Sequence, residues 1–135
     1  MTEIHCDFLP TQLMPLLKQH NIDAAVLVQS LPKHEDTSFM LDLATRPSFI
    51  QAVVGWVDLK AADAVDKISA LAANPKLKGL RPMLQDIPDD DWIADTALTP
   101  AIDAMRLHQL SLDALMLPRH LSSLTTRYPM ALEKA

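Results

Sequence analysis

The sequence predicts an α/β fold built on a parallel sheet, and three observations carry that expectation. Four short runs, at residues 24–28, 50–57, 77–83 and 112–116, are rich in apolar and β-branched side chains, as strands covered on both faces are. Segments with apolar residues at helical spacing separate the runs, and this alternation marks βα units. Prolines at 32, 47, 75, 100, 118 and 129 fall at the joints, where a residue that cannot continue a helix or donate to a ladder belongs.

Thr11 is placed to cap a first helix whose Leu13, Leu16 and Leu17 share one face, with Pro15 near enough to its start to be tolerated. Ala24, Ala25, Val26, Leu27 and Val28 make the first strand, apolar on both faces as if sandwiched between helices or lining a barrel. Residues 35–44 then put Phe39, Met40 and Leu43 on one helical face before Pro47 ends the helix. The second strand centres on Ala52, Val53 and Val54, and the helix at 61–73 turns Val65, Ile68, Leu71 and Ala72 inward and Asp63, Asp66 and Lys67 outward. The third strand carries Lys78, Gly79 and Arg81 and leads into an acidic loop from Gln85 to Trp92. Thr99 and Pro100 read as the N-cap and first residue of a helix that buries Ile102 and Met105. After the fourth strand, Pro118 opens a last helix with Leu121, Leu124 and Tyr128 on one face.

A chain of 135 residues, 49% hydrophobic and 21% charged, is sized for a single domain, expected over residues 1–135. A net charge of −5 with scattered basic residues excludes a phosphate-backbone footprint, so no nucleic-acid partner is expected. No run approaches the roughly 18 apolar residues of a membrane span, and the segment from Met1 to Asp7 lacks the basic and apolar regions of a signal peptide; the expected setting is the cytoplasm, with no membrane partner. The lone Cys6 excludes an internal disulfide and any CxxC pair. With Gly55 and Gly79 the only glycines, no phosphate-cradling GxGxxG or GxxxxGK can be written, which excludes a nucleotide-binding doubly wound sheet.

Several stretches, in order and spacing, resemble the amidohydrolase-related family of lactonase-like hydrolases: Asp7-Phe8-Leu9-Pro10, Ala25-Val26-Leu27-Val28-Gln29, Val54-Gly55-Trp56-Val57-Asp58-Leu59, Leu77-Lys78-Gly79-Leu80-Arg81-Pro82, Leu112-Asp113-Ala114-Leu115 and Pro118-Arg119-His120-Leu121. The resemblance implies a partial TIM (β/α)8 barrel whose four strands correspond to strands 2–5, with chemistry at the C-terminal ends of the strands. It also implies a hydrolase that opens a lactone or related ester of a small acidic or sugar-derived substrate. Complete barrels run to about 250 residues, so this chain is expected to be incomplete and inactive alone. Relatives that use a divalent metal take ligands from a His-x-His pair on the first strand, a later histidine and an aspartate on the last strand. His5, His20, His34, His108 and His120 form neither His-x-His nor HExxH, so no metal ligand, cofactor or catalytic residue is assigned to this chain.

Four residues are expected to bind substrate. Arg81 can offer a two-pronged hydrogen bond to a carboxylate or lactone oxygen, and the resemblance places a substrate-binding arginine after this strand; the alternative is a pair with a loop aspartate that holds the barrel mouth. Gln29, Trp56 and Gln85 lie at or beyond strand ends and would face the same mouth, with packing or supporting roles as the alternative. Asp58 lies there too, or caps the next helix. Asp113, read as the start of its strand, is assigned to the opposite, stabilising face. The cluster Asp86, Asp89, Asp90 and Asp91 lacks the glycine turn and closing glutamate of a calcium loop and reads as an acidic first turn before Trp92. His120 either donates into the mouth or is an exposed or capping histidine.

Two further readings compete with catalysis. Half a barrel leaves its outer strand edges unpaired, so the chain could act as a non-catalytic remnant or split-enzyme half, covered by homo-oligomerisation or by a neighbouring polypeptide. A compact open-sheet domain that binds a small molecule without reacting it is the other.

Overall fold

The computed structural model describes residues 7–129, and His5 and Cys6 lie outside that range. The elements follow in order as α1 (Pro10–Gln19), β1 (Ala25–Val28), α2 (His34–Ala44), β2 (Ile50–Gly55), α3 (Ala64–Ala72), β3 (Leu77–Leu80), α4 (Thr99–Leu107), β4 (Ser111–Leu112) and α5 (Leu121–Arg127), with short 3₁₀ turns between β3 and α4 and ahead of α5. The strands form one parallel sheet in the order β1-β2-β3-β4. Parallel neighbours need a crossover, and α2, α3 and α4 supply one each.

The pairing register fixes which side of the sheet each residue occupies. Leu27 pairs with Val53 and Val53 with Leu77, while Gly55 pairs with Leu80 and Leu80 with Leu112. These residues share the helix-covered face, where they join Leu41, Ile68, Leu98 and Met105 in the core. One extra residue of β3 is taken up where the register shifts between Val53 and Val54. There Gly79 is required by close approach, because a Cβ would come within 2.8 Å of the Ser111 carbonyl oxygen.

Several details differ from the sequence expectations. The helix-period face of α3 buries Ile68 and Leu71, but Val65 is exposed. Leu16, Phe39 and Leu121 are exposed as well. The first strand is covered on one face only: Val26 and Val28, 53% and 40% exposed, stand on the side without helices. Leu9, not Thr11, precedes the first turn of α1, and Gln12 Oε1 accepts from its N–H at 2.7 Å. Thr99 is the first residue of α4 rather than its cap. The capping falls to Asp95, whose Oδ1 accepts from Ala97 N–H at 2.9 Å at the head of the preceding 3₁₀ turn. The fourth strand lies at Ser111–Leu112, earlier than the apolar run suggests, with one more parallel bridge from Met83 to Leu115.

Candidate functional site

In a parallel sheet all strands end on the same side, and here the residue directly after each strand forms a row: Gln29, Trp56, Arg81 and Asp113. Backbone bonds keep the row level. Gln29 N–H donates to Val54 O, Arg81 N–H to Gly55 O and Asp113 N–H to Leu80 O, at 2.8 to 2.9 Å.

Arg81 and Asp113 each follow a helix-facing leucine, so alternation turns both toward the open face. They meet there. Arg81 donates from Nε at 2.9 Å and from Nη2 at 2.7 Å to one oxygen, Oδ2, of Asp113. The grip orients the guanidinium while leaving Nη1 uncommitted to that carboxylate, and the Arg81 side chain stays 24% exposed. Asp113 therefore belongs at the C-terminal end of its strand, beside Arg81, not on the stabilising face. The early start of β4 is what moves it.

Gln29 follows an open-face valine and so turns the other way, into the helix layer, where it is buried. Its Nε2 donates to the carbonyls of Leu31 and Lys33, both at 2.6 Å, and its Oε1 accepts from Thr37 Oγ1 at 2.5 Å. Thr37, itself buried on α2, also accepts from Trp56 N–H at 3.0 Å and lies 2.9 Å from Trp56 O. The carboxamide is thus committed to pinning the β1–α2 loop and the backbone at Trp56. Gln85 is partly buried in the turn after β3, where its Nε2 donates to Asp86 Oδ2 at 2.9 Å and its Oε1 is buried with no partner among the described residues.

The acidic loop is strapped to the segment that opens α5. Arg119 donates from Nε to Asp90 Oδ1 at 2.6 Å and from Nη2 to Gln85 O at 3.2 Å, and Ser123 Oγ bonds Asp91. His120 is buried rather than exposed, and its Nδ1 caps the turn by accepting from Leu117 N–H at 2.9 Å. Its Nε2 lies 3.8 Å from Asp90 Oδ1, so imidazole and carboxylate face each other across a gap too long for a hydrogen bond. Asp58 turns its Oδ1 onto Lys60 N–H at 3.1 Å, closing a turn rather than capping α3.

Larger hollows exist elsewhere. One of about 470 Å³ lies among Ile102, Met105, Leu112, Leu124 and Tyr128, and its walls are mostly apolar, with Arg106 the charged residue among them. The chemistry-bearing side chains converge at the strand ends instead, where active sites of β/α barrels are built.

The amidohydrolase family model matches residues 3–132. An L-fucono-1,5-lactonase of Burkholderia ambifaria is 56% identical over 129 residues, 93% of this chain and 44% of the relative. One of Burkholderia multivorans is 36% identical over 91 residues, 67% of this chain and 30% of the relative. Among solved structures, a B. multivorans amidohydrolase with bound zinc superposes with a TM-score of 0.85 at 28% identity, covering 96% of this chain and 46% of its own. A B. multivorans amidohydrolase with bound HEPES gives a TM-score of 0.84, again at 28% identity, over 96% of this chain and 45% of its own. The chain spans less than half the length of these relatives. Among its described residues no group of three or more His, Cys, Asp and Glu stands close enough to hold a metal ion by itself. Nor is any helix of the described residues long and apolar enough to cross a membrane. The four parallel strands are part of an amidohydrolase TIM barrel, and the chain belongs to the amidohydrolase family.

Proposed function

We propose that this chain carries the substrate-orienting part of a cytoplasmic hydrolase that opens the lactone or related ester of a small acidic or sugar-derived molecule. The observation that carries the reading is Arg81, held by Asp113 at the strand ends with donors left over for a ligand. Such a guanidinium grips a carboxylate or the lactone carbonyl oxygen and fixes the ring. Water then adds to the carbonyl carbon, the bond to the ring oxygen breaks, and that oxygen leaves as a hydroxyl, giving a hydroxy acid. Trp56 and Gln85 flank the substrate, and Gln29 supports the site through Thr37 and the Trp56 backbone. The fucono-lactonase relatives make sugar lactones the first substrates to try.

The test compares lactone hydrolysis by this chain alone with that of a chain completed by the remaining barrel segments of the B. ambifaria relative. Turnover is expected only in the completed barrel. Arg81→Lys, which removes the planar fork, is expected to lower kcat/KM by about 10- to 100-fold, the worth of one charged hydrogen bond. An inactive completed barrel, or one indifferent to Arg81→Lys, would overturn the reading.

A second reading is favoured by one specific observation: Val26 and Val28 stand exposed on the helix-free face of an outer strand. In that reading the chain acts by association, with a second copy or a neighbouring polypeptide covering the face.

A further inference from the structure

The chain has two tryptophans, Trp56 and Trp92, and both line one cleft beyond the ends of β2 and β3, together with Asp58 and Asp86 and with Pro82 and Met83 in the wall. From this arrangement, and resting on the lactonase reading above, we infer that the cleft is a subsite for the polyhydroxylated ring of the substrate. The two indoles supply its apolar faces, and the two carboxylates receive its hydroxyls.

Four observations support the assignment. The cleft holds about 290 Å³, at the lower edge of the roughly 300–1,000 Å³ usual for ligand sites, which suits one ring rather than an oligomer. The segments that carry its aromatic walls are anchored. Trp56 is pinned through its backbone to Thr37 and thence to Gln29, and Trp92 has the Lys60 ammonium 5.2 Å from its ring centroid, with Lys60 anchored to Asp95 at 2.6 Å. Both indoles are only half-buried, so part of each ring is open to a ligand in the cleft. Each carboxylate gives one oxygen to the chain, Asp58 Oδ1 to Lys60 N–H and Asp86 Oδ2 to the Gln85 amide, and keeps a second acceptor for a ligand hydroxyl.

Nuclear magnetic resonance of the unmodified chain tests the site, because two tryptophans give two indole N–H signals and no variant has to fold. L-fucose serves as a neutral hydroxylated ring with no carboxylate for Arg81, and δ-valerolactone as a six-membered lactone without hydroxyls. Both indole signals are expected to move together with L-fucose, saturating with a Kd on the order of 1–10 mM, and to ignore δ-valerolactone. Asp58→Asn and Asp86→Asn are each expected to weaken binding about tenfold, one charged hydrogen bond. Stationary indoles, movement of one alone, or an equal response to δ-valerolactone would each refute the subsite. None of these results touches hydrolysis by the completed barrel or its dependence on Arg81, so the two proposals fail separately.

Discussion

Thr37 is the residue on which the strand ends most depend, because one hydroxyl serves Gln29 after β1 and the Trp56 backbone after β2. Gly55 makes room for it: a Cβ on Gly55 would collide with Thr37 Cγ2 and lie 3.1 Å from Thr37 Oγ1. The backbone at Gly55 has no positive φ, so this glycine is required by space alone. Gly55→Ala is therefore expected to destabilise the fold by about 1–3 kcal/mol, as overpacking does, read from the urea midpoint. Thr37→Ser removes the methyl in the way and keeps the hydroxyl, so adding it should recover part of the loss. A double-mutant cycle with no coupling between the two would show that the strain lies elsewhere. The same network explains what the sequence could and could not tell about the site. The position of Arg81 was readable from an apolar run ending in a lone arginine. The turning of Gln29 into the helix layer was not, because it depends on the partner waiting on α2.

Among the elements, the 3₁₀ turn before α4 shows how a cap can be misassigned. Thr99-Pro100 has the residue types of a helix start, yet the chain begins turning earlier, at Asp95, which also pairs with Lys60 from the loop after β2. The Lys60 ammonium hydrogen bond, with the Ala97 N–H as a smaller cause, holds the Asp95 carboxyl below its ordinary value of 3.8. A depressed folded-state pKa contributes stability that is present above the unfolded value and lost as pH falls through the folded one. Asp95→Asn keeps an oxygen for the cap but loses the ion pair, and Asp95→Ala loses both. The melting temperature at neutral pH is expected to fall by a few degrees in the order wild type, Asn, Ala, with the wild type and Asn curves converging as the pH falls through the depressed folded-state value of Asp95. A gap that persists in acid would assign the effect to packing instead. Element order and type were legible throughout, since each βα alternation follows from apolar period and proline placement. The ends were not: β4 is only two residues long, and the apolar run at 112–116 hid that Asp113 follows it.

At the scale of the whole molecule, four parallel strands expose two outer edges and one uncovered face, and the alternation along β1 puts valines on that face where a surface strand would carry polar residues. Covering a half-exposed valine is worth roughly 1 kcal/mol, so Val26 and Val28 reward association without holding the chain's own core together. If the association reading is right, sedimentation at rising concentration should show the wild-type chain leaving the mass of one chain for that of two. Val26→Lys combined with Val28→Lys should restore the single-chain mass while leaving the helical circular dichroism unchanged, because both side chains already face solvent. A wild-type chain that keeps the mass of one copy up to hundreds of micromolar would remove the second copy as the cover. The completed barrel then serves as the control: its added strands should bury the two valines, and the double substitution that is harmless in the short chain should destabilise the long one by several kcal/mol, the cost of burying unpaired ammonium groups.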